Sequence, residues 1–222
     1  MKLEQVSDHI WSLKTWLLFP VRVWLVADEE GITLVDAGMP YMAKKILHHI
    51  RNLNKGELKR ILLTHGHSDH IGSVKPILNS YNIPVFAHPI EIPYMEGQMA
   101  YPGRKRAEKG IGKQIVNPLP ANAEGRLSKI AGLTPYLTPG HSPGHVIYYH
   151  EKDKVILAGD LFTSKKGKLQ KPMKMFTADM KEAIAGSVII KDLDAVHIEV
   201  CHGGPVNSPG GQIDEYLREY NR

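Results

Sequence analysis

A chain of 222 residues, 42% hydrophobic and 23% charged, has the composition of a folded protein, which excludes disordered, collagen-like and coiled-coil classes. A formal charge of +5 permits nucleic acid, a membrane surface or an anionic substrate as partner and does not choose among them. The most apolar N-terminal stretch, 16–27, is broken by Pro20 and Arg22 and lacks a small-residue cleavage site, and no segment reaches the roughly 20 apolar residues of a membrane-spanning helix. The lone cysteine, Cys201, cannot close an intramolecular disulfide and fits a reducing compartment, so the cytoplasm is the expected location.

The elements follow in chain order. Ile10 to Leu13, Val21 to Ala27 and Ile32 to Val35 read as strands, the last two joined by the turn Asp28-Glu29-Glu30-Gly31. Apolar residues at helical spacing (Met42, Ile46, Leu47, Ile50) predict a helix over 40–52. Ile61 to Leu63 is a short buried strand, and a helix is expected from His70 to Ser80. Residues 88–125 break this rhythm with five prolines and five glycines, which predicts a partly helical surface excursion able to cover one face. Strands resume at Leu133 to Leu137, Val146 to Tyr149 and Val155 to Ala158. A helix follows near Asp179 to Lys191, with Asp179 and Glu182 as a capping box. Asp194 to Val200 predicts a strand, and Ser208-Pro209 marks the start of a last helix running to Tyr220. Each half thus offers sheet first and helix afterwards. The expected architecture is a layered α/β (α+β) sandwich, one domain over 1–222, with helices outside two sheets.

Histidine is over-represented, at 12 residues against 23 carboxylates. After the strand ending at Leu63 comes Thr64-His65-Gly66-His67-Ser68-Asp69-His70. His65 and His67, two apart in extended chain, point the same way and can share one ion. Asp69 and His70, at the turn into a helix, can face a second. Further along stand Thr138-Pro139-Gly140-His141-Ser142-Pro143-Gly144-His145, Leu157-Ala158-Gly159-Asp160 and Cys201-His202-Gly203-Gly204. Each follows an expected strand, where catalytic groups gather on loops held by a rigid scaffold.

In these motifs the chain resembles the metallo-β-lactamase-fold hydrolases, from Asp36 in Leu34-Val35-Asp36-Ala37-Gly38 to His202. The resemblance implies a four-layer αββα sandwich with metals at one edge of the sheets. It implies His65, His67 and His141 as ligands of a first metal, Asp69, His70 and His202 as ligands of a second, and Asp160 as the carboxylate bridging both. Asp69 and Asp160 are the expected catalytic carboxylates. Asp36 and His145 would support the ligands from behind, Asp36 by accepting the outer N–H of a ligand imidazole. Two zinc ions per chain are expected, with manganese or iron also compatible with nitrogen and oxygen donors. Such a pair acidifies a shared water that attacks an acyl or phosphoryl centre. Cys201, beside His202, reads as a small buried residue closing a strand.

Departures from known branches narrow the substrate. The antibiotic-degrading enzymes lack the combination of His70 with Asp160. The glutathione-binding helical domain of glyoxalase II has no room in the 20 residues after His202. Many homoserine-lactone lactonases place a tyrosine just after the bridging aspartate, where this chain has Leu161-Phe162-Thr163-Ser164. Phe162, Tyr94 and Tyr101 are the candidate substrate contacts, and Tyr94, Met95, Met99 and Tyr101 either form an apolar lid or anchor their segment to the core. Two basic runs, Arg104, Lys105, Arg106, Lys109 and Lys113, then Lys165, Lys166, Lys168, Lys171 and Lys174, either are ordinary solvated loops or attract an anionic substrate. The second run, close after Asp160, is expected to flank the metal cleft. The resulting expectation is a zinc hydrolase of a small, anionic ester, lactone or thioester, without membrane partners. A phosphodiesterase or nuclease, an iron-dependent sulfur dioxygenase and a non-catalytic metal-binding module are the alternatives.

Overall fold

A computed structural model describes residues 1–16, 18–108 and 110–220. Strands β1 (Lys2–Gln5), β2 (Ile10–Trp16), β3 (Pro20–Asp28) and β4 (Gly31–Val35) form an antiparallel meander. The β3–β4 turn is set by Asp28, whose Oδ1 accepts the backbone N–H of Glu30 and Gly31 at 2.9 and 3.1 Å. Helix α1 (Ala43–Leu53) then crosses over to β5 (Leu58–Leu62), parallel to β4, and buries Ile46, Leu47 and Ile50 along one stripe.

The helix expected over 70–80 is two pieces, α2 (Ser68–Ile71) and α3 (Val74–Leu78), separated at Gly72 and Ser73. At the break Ser73 N–H bonds the Gly38 carbonyl (3.3 Å), outside the helix. A Cβ on Gly72 would stand 2.6 Å from Pro40 Cδ and 2.7 Å from the Gly38 carbonyl oxygen, so the chain passes directly over that loop. Strand β6 (Val85–Ala87), helix α4 (Ile92–Met95) and strand β7 (Val116–Pro118) follow, and β4 to β7 run parallel in a seven-stranded sheet. The excursion 88–125 therefore supplies an edge strand as well as a surface segment.

The second sheet contains β8 (Leu133–Leu137), β9 (Val146–His150) and β10 (Val155–Leu157). A hairpin, β11 (Thr163–Lys165) and β12 (Lys168–Gln170), then helix α5 (Met180–Gly186), precede its last strands, β13 (His197–Glu199) and β14 (Val206–Asn207). Asp179 Oδ1 accepts Glu182 N–H at 3.0 Å and caps α5, which tightens into a 3-10 turn over Ser187–Lys191. Helix α6 (Ile213–Tyr220) ends the described chain. Ser208 does not cap it: its φ is +49°, its side chain makes no capping bond, and Pro209–Gly211 forms a separate 3-10 turn.

Both faces of the second sheet are buried. Val146, Tyr148, Val155 and Leu157 join the core shared with the first sheet, and Ile147, Tyr149 and Ile156 face the other way against Ile184, Ile190 and Ile213. The layers are helix, sheet, sheet, helix. Bonds across the sandwich, from Tyr148 Oη to the Leu63 carbonyl (2.9 Å) and from Val146 N to the Thr64 carbonyl (2.9 Å), bring the loops after β4, β5, β10 and β13 and the β8–β9 turn to one edge. Among the described residues no helix is long and apolar enough to cross a membrane.

Candidate metal centre

Four ends of strands deliver the site. His65 and His67 leave β5, Asp69 and His70 lie on α2, His141 and His145 sit in the β8–β9 turn, and Asp160 and His202 follow β10 and β13. Three ring nitrogens converge: His67 Nδ1 lies 3.0 Å from His65 Nε2 and 3.1 Å from His141 Nε2. Beside them, His202 Nε2 is 3.2 Å from Asp69 Oδ2, and His70 Nε2 is 3.8 Å from the same oxygen. Asp160 lies between the groups. Its Oδ2 is 3.5 Å from His141 Nε2 and 3.2 Å from His202 Nε2, and its Oδ1 is 3.4 Å from His70 Nε2.

The outer nitrogens explain why these rings aim inward. His70 Nδ1 faces Asp36 Oδ2 at 2.7 Å, His202 Nδ1 the Pro20 carbonyl at 2.8 Å, His65 Nδ1 Thr64 Oγ1 at 3.1 Å and His141 Nδ1 Thr177 Oγ1 at 3.2 Å. Anchoring one ring nitrogen frees the other as a ligand. Asp36 is itself fixed by Thr64 N–H and Oγ1–H, both at 2.8 Å, and holds a left-handed φ of +58° uncommon for a residue with a side chain. His145 supports Asp160 from behind: its Nε2 accepts Asp160 N–H at 3.2 Å, so Nδ1 carries the proton it shares with Thr138 Oγ1 at 2.9 Å. Gly159 makes that approach possible, since a Cβ there would stand 2.8 Å from Thr64 and 2.9 Å from His145 Nε2 at a φ of +50°.

The donor set fits divalent cations. Among the described residues, buried His70 Nε2, Asp160 Oδ1 and His202 Nε2 have no hydrogen-bond partner of good geometry, and an unsatisfied buried polar atom is costly unless something else, such as an ion, engages it. Burial keeps His65, His67 and His141 neutral, with His67 lowered to about 4 and His65 and His141 well below the ordinary imidazole value. His145 is lowered to about 3 for the same reason. The second group behaves oppositely. Burial works against charge on His70 and His202, but it is outweighed: Cys201 and the carboxylates Asp36, Asp69 and Asp160 raise His70, and Asp160, Cys201 and Asp69 raise His202. Burial likewise opposes ionisation of Asp160, yet His202 and His70 hold it well below the usual carboxylate range.

These directions predict a proton count. Without a cation, His70 and His202 carry protons at pH 7, and their contribution to stability is full below the ordinary imidazole pKa and lost as pH rises through the raised values. A ligand nitrogen must be neutral, so zinc binding at pH 7 is expected to expel both protons and to tighten as pH rises. Calorimetry in buffers of different ionisation enthalpy measures this. Heats independent of the buffer would show that the rings were already neutral.

The residue that holds the loops together has no counterpart in the sequence reading. Glu91, fully buried just before α4, accepts Gly66 N–H (3.0 Å) and Tyr101 O–H (2.8 Å) at Oε1. Its Oε2 accepts Ser142 O–H (2.9 Å) and Gly144 N–H (2.7 Å). One carboxylate thus ties the His65–His70 segment to the His141–His145 turn. Gly144 is required here, because a Cβ would sit 2.5 Å from Glu91 N.

A cleft of about 220 Å³ opens over Asp69, Asp160 and His202, with Phe19, Met39, Met173 and Phe176 on its walls and Arg104, paired to Glu108 at 3.1 Å, at its side. Tyr101 packs its ring 4.9 Å from His67 and stacks on Tyr94; neither ring lines this cleft, and Tyr101 lines an adjoining pocket with His67 and His141. Met95 is buried in the core and Met99 is half exposed.

Phe162 is not a substrate contact. It is fully buried on the far face of the second sheet, edge-on to Tyr216 at 5.1 Å. Phe162→Ala is therefore expected to cost about 3–5 kcal/mol in denaturant unfolding while leaving KM unchanged. A raised KM at unchanged stability would put the ring back in the site. Most of the second basic run turns away: Lys165, Lys166, Lys168 and Lys171 do not line the cleft, and Lys174 stands between the wall residues Met173 and Phe176 without lining it. The β11–β12 hairpin docks on α6 instead, with Leu169 N–H on Gln212 Oε1 at 3.1 Å and Lys171 over the Tyr220 ring. Of the first run, Arg104 reaches the cleft, and Lys109 lies outside the described residues.

Residues 16–195 match the profile of the metallo-beta-lactamase superfamily. The chain belongs to that superfamily. It is 39% identical to the probable metallo-hydrolase YybB of Bacillus subtilis over 207 residues, 91% of each chain. It is 26% identical to the hydroxyacylglutathione hydrolase GloC of Haemophilus influenzae over 136 residues, 60% of this chain and 62% of that one. A metallo-beta-lactamase from Erythrobacter litoralis shares the fold, with a TM-score of 0.77 at 18% identity over 97% of this chain and 94% of that one. As a superfamily member with a cluster of candidate metal ligands at the sheet edge, the chain is a metallo-hydrolase.

Proposed function

We propose that this metallo-hydrolase is a cytoplasmic binuclear zinc enzyme that cleaves a small, anionic carboxylic ester, lactone or thioester. The observation that carries the reading is Asp160, placed within 3.5 Å of donors from both ligand groups at the floor of a small cleft. His65, His67 and His141 would hold one ion, Asp69, His70 and His202 the other, with Asp160 between. Such a pair supplies an acidified water and an electrophile for the scissile carbonyl.

The chain's own groups do the rest. Phe19, Met39, Met173 and Phe176 exclude water from the acyl portion, and 220 Å³ suits a substrate below drug size. Arg104 presents a guanidinium to a carboxylate on the substrate, with Glu108 holding it in place. Asp69, whose side chain is 21% exposed at the cleft, can take a proton from the attacking water and return it to the leaving group. The relative GloC is named a hydroxyacylglutathione hydrolase, which supports the thioester among the three.

The test is a panel of p-nitrophenyl esters, lactones, acyl thioesters and bis-p-nitrophenyl phosphate, each with and without a terminal carboxylate where the chemistry allows. The expected result is chelator-sensitive cleavage of acyl substrates, faster with a carboxylate, and an Arg104→Ala variant that loses the preference. Activity confined to the phosphodiester, or oxygen uptake without hydrolysis, would overturn the reading.

A further inference from the structure

A second cluster of metal-competent side chains lies at the opposite edge of the sandwich. His145 and His150 flank or end β9, so at about 3.3 Å per residue the two edges are roughly 16 Å apart. There, His150 meets Asp153 in the β9–β10 turn and His9 just before β2. Asp153 Oδ1 lies 2.7 Å from His9 Nδ1 and 3.5 Å from His150 Nδ1. The side chains of Asp153 and His150 are each 6% exposed, and that of His9 28%.

The spacing resembles that of the superfamily site in this same chain, where neighbouring donors stand 3.0 to 3.5 Å apart. Tetrahedral nitrogen and oxygen ligands at about 2.0–2.1 Å from zinc are themselves about 3.3 Å apart. His150 and Asp153 already satisfy that distance, and His9 needs to withdraw by a few tenths of an ångström. Asp153 is also oriented from behind: its Oδ2 accepts Ser7 O–H and His9 backbone N–H (3.0 Å), leaving Oδ1 to His9, while its own N–H donates to His150 Nδ1 (3.2 Å), a bond that a metal on that nitrogen would replace.

The cluster borders a cavity of about 540 Å³ whose walls include Asp8, Asp28 and Glu29. Of the lysines at the same rim, Lys129 pairs with Glu151 at 2.7 Å and Lys55 lies over the Trp11 ring. Two imidazoles and one carboxylate with an open side form the donor set of a zinc site that keeps a coordination position free.

We propose that His9, His150 and Asp153 form a further binding site for a divalent transition metal of the zinc class, separate from the superfamily centre. On binding, the proton on His9 Nδ1 moves to Nε2 or to solvent, and Lys152 Nζ, now 3.2 Å from that Nε2, turns away into water. The site gives the chain one zinc more than its catalytic edge holds, whatever that edge holds.

The test compares the wild type with Asp153→Asn and His150→Ala. Each is loaded with excess zinc, desalted and analysed for metal per chain, and the wild-type protein is crystallised with zinc for an anomalous map at the zinc edge. Asparagine keeps an oxygen for His9 to bond, so that variant retains the tie between the β1–β2 and β9–β10 turns. The expected result is one zinc fewer in each folded variant and an anomalous peak between the His9 and His150 rings. Equal zinc content in wild type and Asp153→Asn, or a map without that peak, would overturn the proposal and leave the cluster as a structural tie.

Discussion

Asp160→Asn is expected to reduce hydrolytic turnover by on the order of 10³-fold or more, about 4 kcal/mol in barrier, while the sandwich stays folded. The amide keeps the shape and the backbone N–H bond to His145 Nε2, but it removes the carboxylate charge that lies within 3.5 Å of His70, His141 and His202 alike. His70 and His202 then lose part of what raises them, and fewer protons are expelled when zinc binds. His67→Ala should reach the same end differently. His67 Nδ1 is the point on which the His65 and His141 nitrogens converge, and its loss leaves one ligand group with two members. Steady-state rates on the best acyl substrate, with circular dichroism as the folding control, measure both. Undiminished turnover in either variant would mean that the ligand assignment is wrong.

Glu91→Ala is expected to be the most damaging change outside the ligands. It leaves four donors, Gly66 N–H, Gly144 N–H, Tyr101 O–H and Ser142 O–H, without their acceptor in a buried place, at about 1–3 kcal/mol each before relaxation. Relaxation and water entry reduce the sum, so a loss of about 3–5 kcal/mol in unfolding free energy is expected. Because the carboxylate joins the two loops that carry His65, His67 and His141, zinc affinity should also fall, by about 10–100-fold, as it does when groups behind metal ligands are removed. Burial raises the Glu91 pKa and the four donors pull it down, with a net upward direction. Glu91→Gln replaces one acceptor oxygen by a donor, so it should fall between wild type and alanine in both readouts. Denaturant unfolding of the chelated protein and competitive zinc titration separate the two effects. Lost stability with unchanged zinc affinity would show that Glu91 supports the fold alone.

What could be read in the sequence was what is local in it. The run from His65 to His70 carries four candidate ligands within six positions, and each further one sits in a Gly-containing loop after an apolar strand. Tertiary folding has only to bring the strand ends together. Glu91 has no such signature. Its partners lie 10, 25, 51 and 53 residues away, and in Ile90-Glu91-Ile92 it looks like any surface carboxylate. The available signal was the small residues Gly66, Ser142 and Gly144, which leave space for a foreign side chain, but they do not say whose. Phe162 misled for a related reason. A residue two after Asp160 can face the cleft or the far side of the sheet, and only the packing of α6 decides. The lysines of 165–171 show the same limit: proximity to Asp160 in sequence does not set the direction of a hairpin, and this one turns toward α6. Strands of two to four residues, β1, β6, β7 and β14, escape pattern reading because two or three side chains cannot establish a period.

The central claim is that hydrolysis runs on ions held by the two ligand groups that Asp160 joins. The most direct measurement follows acyl-substrate cleavage by the wild type and by Asp160→Asn through chelation and stepwise return of zinc. The account predicts that wild-type activity disappears on chelation and returns to full value as the zinc is restored, and that Asp160→Asn stays inactive at every zinc level. Full activity in the chelated wild type, or zinc-restored activity in Asp160→Asn equal to that of the wild type, would contradict it.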